Sequence, residues 1–482
     1  MLQPISTLAQ QGIHAHEWAG RGSLHSVTVA FLLGALLVSI FARKKFFLFL
    51  ILIASVGMLS PAQRVIFASL DFSVPRIVIL MLLVRITLRA SERLKRWTKI
   101  DSIFAILMLL HLIGNTLRSD GSVVNRLGFS LDYFGSYLVL RSLIRDVSDI
   151  RSVCLAVSAV AVLMLPFYLI EQITRRNLLS FMGGIPDYVV MRNGRPRCQG
   201  AFSHPINSGL FFGLMLPVIT GILVASRLRD FRLLIGFIAA LLILLTSASS
   251  TPASVLVTGT LVWLMFRTRW MIPFMAWLCI PVLFWGHFYL NNGLPSLFAK
   301  LDLVAGSTGW HRYHLIDTSF KNIGEWWAIG ITGGTAHWGG YLGDVTNEYL
   351  LHGFSAGILG FVLMIALVVV TCIKTFGATV DLRNSNTHRT VAYGIFASLI
   401  AVSAALTSVT LFSGLFVTFS FLVASGVAMA DTSNGALGAE SKGLRPSGER
   451  RAVGDSLQPT LTGRANGASR LAWTSTQKAR TE

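Results

Sequence analysis

Apolar runs of bilayer length alternate with short, mostly basic connections from residue 27 to residue 430. Runs that are apolar on every side predict helices, because only a helix satisfies its own backbone in hydrocarbon. They fall over 27–42, 46–60, 73–88, 101–117, 128–144, 152–172, 206–226, 233–247, 253–266, 271–290, 349–373, 391–407 and 409–430. Several are shorter than the roughly 20 residues a full crossing needs. The fold class expected is therefore all-α, a polytopic integral membrane protein with about 11–13 transmembrane helices. Two connections on one side are long, about 173–205 and about 291–348, and these are the two expected extracytoplasmic loops.

Charge orients the helices. Alternate connections read Arg43-Lys44-Lys45, "RASERLKRWTK" (89–99), "RDVSDIR" (145–151), "RLRDFR" (227–232), "RTR" (267–269) and "KTFGATVDLRNSNTHR" (374–389), and all six agree on one side. Basic connections stay in the cytoplasm, so that side is expected to be cytoplasmic. The first apolar run precedes its basic cluster instead of following one, so it is expected to be retained as a helix. The chain divides into a polar segment 1–26, a transmembrane region 27–430 and a basic tail 431–482 rich in Gly, Ser, Thr and Arg, expected to be disordered.

Composition sharpens this in one respect. Charged residues are 13% of the chain, about half the share in soluble domains, against 53% hydrophobic. A formal charge of +19 would point to nucleic acid in a soluble protein, but here it mainly sets orientation, and no nucleic-acid partner is expected. The four cysteines form no disulfide framework or zinc spacing. No internal repeat is apparent.

The chemistry concentrates in the two long loops. The first carries Arg175, Arg176, Arg192, Arg195 and Arg197 against one acid, Asp187. Short translocated loops avoid such an excess, so an anionic partner at the outer face is implied: a lipid phosphate or a diphosphate-linked substrate. The guanidinium fork suits phosphate oxygens better than an ammonium does. Anchoring to lipid headgroups is the alternative, and it applies first to Arg175 and Arg176 at a helix end. After Arg197 come His204-Pro205 and Asn207, where the next helix starts and free backbone amides face the loop.

The second loop sets Arg312 between His311 and His314, with Asp317 and a Gly-rich stretch holding His337. Trp326, Trp327, Trp338 and Tyr341 are either stacking faces for sugar rings or members of an interfacial aromatic belt. His311 and His314 lack a third ligand, so no metal and no cofactor is expected. Asn347 either orients an acceptor or caps the helix that follows.

In order and spacing, Arg197 with "GAFSHPINSG", "LLTSASSTPAS" (244–254), Arg312 with "GITGG" and "TNEYLLHGFSAGILG" (346–360) resemble the O-antigen ligase and O-antigen polymerase (Wzy/WaaL-type) superfamily. The resemblance covers about residues 190–375. It implies a metal-independent, inverting glycosyltransferase of the bacterial cytoplasmic (inner) membrane, with its active site on the extracytoplasmic face and a glycan on undecaprenyl diphosphate as donor. The arginines of the two outer loops, matching Arg197 and Arg312, would be its functional residues. Thr346 stands where the ligases commonly have a His, and 244–254 lacks an Arg that many members carry there.

The expected function is thus a glycan polymerase transferring oligosaccharide repeat units to an acceptor sugar hydroxyl, in O-antigen, capsule or exopolysaccharide synthesis. Its partners would be the lipid-linked oligosaccharide, the acceptor glycan, the bilayer and a chain-length regulator. Arg197, Arg312 and His337 are the expected catalytic residues. Arg192, Arg195, His204, Asn207, His311, His314, Asn347 and Glu348 are expected to bind substrate. His337 ranks first as base because glycines around it permit close approach, ahead of His311, His314, Asp344 and Glu348. The alternatives are a ligase of the same superfamily and a lipid-linked oligosaccharide transporter or flippase.

Overall fold

The computed structural model describes residues 24–67, 70–118, 123–289, 309–381 and 384–440. One compact unit runs to Gly435, and the second, from Ala436, is described only over the residues that continue the last helix. Most of segment 1–26, most of the basic tail and residues 290–308 of the second loop lie outside the described residues.

The helices are α1 (Ser26–Phe41), α2 (Lys45–Gly57), α3 (Val74–Leu88), α4 (Lys99–Arg118), α5 (Val123–Ser130), α6 (Ser136–Leu143), α7 (Val147–Thr174), α8 (Pro205–Gly213) and α9 (Leu216–Ala225). There follow α10 (Phe231–Thr246), α11 (Ser250–Leu264), α12 (Ile272–Tyr289), α13 (Gly309–Lys321), α14 (Glu348–Val380), α15 (Asn386–Ala405) and α16 (Leu415–Glu440). Each expected apolar run forms a helix. The run over 128–144 is split by a π-turn at Leu131–Gly135, and 206–226 is split between α8 and α9. α13 stands inside the expected second loop, and α16 runs to Glu440, into the stretch expected to be disordered. Among the described residues, six helical spans are long and apolar enough to cross a membrane. α1, α2, α10 and α11 are apolar but shorter, and 16 residues rise only about 24 Å.

Two hairpins interrupt the helical pattern. β1 (Arg64–Phe67) pairs with β2 (Leu70–Ser73), and β3 (Val190–Arg192) with β4 (Arg195–Arg197), both antiparallel. The second turns on Asn193 and Gly194, both at positive φ, as a two-residue hairpin turn requires.

The core is continuous across the bundle. α7 packs on α2 and α10, α4 on α14, and α15 on α9, α11 and α14. α9 and α15 touch through small residues: a Cβ at Gly221 would meet Thr390 O at 2.9 Å, and one at Gly394 would meet Pro217 O at 2.6 Å. Three arginines inside the bundle are paired. Arg76 grips Asp132 with two hydrogen bonds, Arg85 pairs with Glu92, and Arg141 sits between Asp101 and Asp431.

Basic connections gather at one end. Lys45 reaches Asp149, Arg145 reaches Ser91 O, Arg151 pairs with Asp230, and Arg269 donates to Thr379 O. At the opposite end lie the hairpin β3–β4, α13 and the starts of α8, α11 and α14, and there the candidate site is built.

Candidate functional site

Arg197 ends β4, and three contacts fix the chain just after it. Cys198 N donates to Thr246 O, while the Glu171 carboxylate near the end of α7 accepts from the N–H groups of Gln199 and Gly200. Directly opposed residues share a face of a hairpin, so Arg192, Arg195 and Arg197 start from one side of it. Arg192 and Arg197 line a cavity of about 520 Å³, whereas Arg195, beside the turn, is exposed.

Arg312 enters that cavity from α13. Its Nη2 donates to Thr251 Oγ1 at 2.9 Å, and Arg197 Nη2 donates to Ser249 Oγ at 2.8 Å. Ser249 precedes α11 and Thr251 lies in its first turn, so one helix N-terminus sits between the two guanidinium groups. First-turn N–H groups lack intrahelical partners and carry the positive end of the helix dipole.

The charge here is uncompensated. Three arginines line the cavity with one carboxylate, Asp344, at its rim, and neither Arg197 nor Arg312 makes an ion pair among the described residues. The Nε of each is buried without a partner. Burial, with repulsion from Arg192, lowers the Arg197 pKa to about 10, and the same two causes lower that of Arg312. A buried cation left this way favours an anionic ligand.

His204 caps α8: its Nδ1 accepts from Ile206 N at 3.1 Å, and the ring lines the cavity. Burial, then Arg197 and Arg192, push its pKa down to about 4, so the ring is neutral at neutral pH. His311 also lines the cavity, with Nε2 3.3 Å from Asp344 O. Thr346 adds a buried hydroxyl with no partner among the described residues. Tyr341 completes one wall and stacks on His314, whose ring centroid is 5.7 Å away.

Five of the expected site residues therefore converge: Arg192, Arg197, His204, His311 and Arg312. The others do not. His337, the expected base, is 52% exposed, bonds Glu325 at 2.7 Å and does not line the cavity. His314 is held in the aromatic stack behind Tyr341. Asn207 is buried in the first turn of α8. Asn347 caps α14, its Oδ1 accepting from Leu350 N and its Nδ2 donating to Thr407 O.

Glu348 is fully buried behind the cavity wall. It accepts from Tyr133 Oη and Leu411 N and faces His352 at 3.1 Å. Its bond to Leu411 holds the segment 408–412, which supplies Ser408, Val409, Thr410 and Phe412 to the cavity. Of the tryptophans, Trp326 is buried, Trp338 bonds Glu325 and Trp327 is exposed. Ser249 and Thr251 are the site residues that sequence reasoning missed. They occupy the segment 244–254, singled out as part of the resemblance and for lacking an arginine but with no residue of its own named, and a Ser/Thr cluster at a helix start was the available signal.

A second cavity, about 860 Å³ and almost wholly apolar, runs between α12, α13, α14 and α15. Ile316, one turn along α13 from Arg312, lines its upper end together with Asn347 and Thr407, the chain neighbours of Thr346 and Ser408. Exposed Ile365, Val369 and Ile373 of α14 leave it open to the side. Among the described residues, no group of three or more His, Cys, Asp or Glu is placed to hold a metal ion. No protein-family model matches the chain, and no curated protein matches it either.

Proposed function

We propose that this chain is a membrane glycosyltransferase that takes an oligosaccharide from undecaprenyl diphosphate at the outer face of the bacterial cytoplasmic membrane and joins it to an acceptor sugar, as a glycan polymerase of the O-antigen ligase and polymerase superfamily. In this reading the chain crosses the bilayer 11–13 times with its basic end in the cytoplasm. The carrying observation is the convergence of Arg197 and Arg312, from two separate loops, on one helix N-terminus without a carboxylate between them. That arrangement suits a diphosphate. The adjoining apolar cavity, open to the side, suits the polyprenyl chain still anchored in the bilayer.

An acceptor hydroxyl attacks the anomeric carbon from the face opposite the diphosphate, inverting that centre. The C–O bond to phosphate breaks and its electron pair stays on the leaving diphosphate. Charge there grows toward the transition state, so the two arginines lower the barrier more than they tighten substrate binding.

The test is conversion of a purified undecaprenyl-diphosphate oligosaccharide into longer chains. Arg197→Lys and Arg312→Lys each keep a positive charge but lose the fork. Each is expected to slow the reaction about a hundredfold, the effect of losing one preorganised donor, in protein that still inserts and folds. Unchanged rates in both variants would remove the proposal. Transfer to lipid A–core without chain extension would identify a ligase instead, and translocation without bond formation a flippase.

A further inference from the structure

The backbone engages the two histidines of the arginine cavity through opposite ring nitrogens, Nδ1 in His204 and Nε2 in His311. His204 Nδ1 accepts from the Ile206 N–H, so that nitrogen is unprotonated and the hydrogen of the neutral ring lies on Nε2. His311 Nε2 faces the carbonyl oxygen of Asp344. A carbonyl only accepts, so in His311 the hydrogen also lies on Nε2, but there it is consumed by the backbone and Nδ1 keeps a lone pair. Neither His204 Nε2 nor His311 Nδ1 has a partner among the described residues, and both rings line the cavity. One ring offers the cavity a donor and the other an acceptor.

We infer that His311 is the general base, its Nδ1 taking the proton from the acceptor hydroxyl, and that His204 is a neutral donor whose Nε2–H bonds an oxygen of the departing diphosphate. The assignment rests on the transferase reading. The hydroxyl proton goes to His311 Nδ1, the new bond forms between the hydroxyl oxygen and the anomeric carbon, and the leaving diphosphate takes the electron pair of the broken bond. His311 then returns the proton to solvent. His204 has no proton to give in the working range, because burial and two arginines keep its ring neutral down to about pH 4.

The groups facing His311 are Arg312 on its own helix, Tyr341 with its ring centroid 5.9 Å away, Asp344 at the rim, and Arg192 and Arg197 from the hairpin. Asp344 is the competing acceptor, since its carboxylate is the one acid among the lining residues.

The experiment measures initial rates against pH for the full chain with undecaprenyl-diphosphate oligosaccharide, and separately its binding of undecaprenyl diphosphate. His311→Gln is expected to lower kcat a hundredfold or more, with diphosphate binding retained and the acidic limb of the pH–rate profile abolished. Added imidazole is expected to restore part of the rate in His311→Ala, which a purely structural role would not allow. His204→Leu is expected to lower the rate at every pH and weaken diphosphate binding while leaving the limb in place.

Wild-type rate and limb in His311→Gln overturn the assignment. So does an acidic limb that Asp344→Asn removes, and this variant answers the question even where the His311 variants do not fold. A wild-type protein that binds the diphosphate but whose rate has no acidic limb also overturns it. One that neither binds the diphosphate nor joins sugars sinks the transferase reading itself.

Discussion

Arg197 places a full positive charge in a site 5% exposed, with a single neutral hydroxyl as its side-chain partner. Its pKa in the folded chain, about 10, lies below the ordinary arginine value because burial and Arg192 both oppose the charge. The unfolded chain therefore holds this proton more tightly. Below pH 10 the residue is charged in both states and weakens the fold, and only above pH 10, where the folded protein releases the proton first, does that penalty fade. Arg197→Met is accordingly expected to raise the thermal midpoint of ligand-free protein at pH 7. Wild-type protein, unlike the variant, is expected to gain stability from added undecaprenyl diphosphate. A lower midpoint in the variant, measured in detergent, would contradict this account of the charge. That Arg197 and Arg312 matter together was legible in the sequence, because an excess of arginine over acid in one connection calls for an anionic partner. The placing of His337 was not: glycines around it permit an approach to substrate but do not say which way the segment faces, and in the structure its ring bonds Glu325.

Local chemistry at the level of elements explains what pattern reading found and missed. Long apolar runs were legible as helices because their length and all-round apolar character exceed what strands or loops carry. The β3–β4 hairpin is set by the Asn-Gly pair of "RNGR", whose flanking arginines are too charged to read as strands. α13 was hidden because its sequence, "GWHRYHLIDTSFK", is too polar to read as a bilayer run. It lies against α14 through Leu315, which clusters with Leu350 and Phe354, while the Ser319 carbonyl accepts from Trp326 Nε1 within the loop. α14 shows the same limit. Its first two turns are separated from the rest by a break at Ala356 and Gly357, with Gly357 at φ 73°, ψ −172°, a region essentially closed to other residues. Ile358 N donates to Trp327 O there and Ile331 N to Phe354 O, so the break docks the second loop onto the helix that bears Asn347 and Glu348. A Cβ at Gly357 would strike Ala328 O. Gly357→Ala is expected to destabilise the fold by about 1–3 kcal/mol from backbone strain alone. It is also expected to loosen residues 327–331, which hydrogen exchange of their amides would report.

Across the whole molecule, charge and chemistry separate to opposite ends. Arg145, Arg151 and Arg269 sit among helix ends at one pole, tied to carbonyls or carboxylates of neighbouring connections. Arg192, Arg197 and Arg312 sit at the other, around an open cavity with a single acid. The two sets differ in kind. The first has its counter-charges and acceptors built in, as expected of residues that only set orientation. The second has two neutral hydroxyls and one acid for three arginines, and burying such charge is unfavourable unless an anion recovers the difference. Orientation and anion binding thus make one joint statement that side-specific labelling can check. In cells, single cysteines placed at the exposed Arg195 and at Arg267 are expected to separate cleanly under a membrane-impermeant maleimide, the first reacting from outside and the second only after permeabilisation. Undecaprenyl diphosphate is not expected to reach position 267. Should Arg267 label from outside instead, the arginine cavity would face the cytoplasm and the outer-face transfer chemistry would have no substrate there.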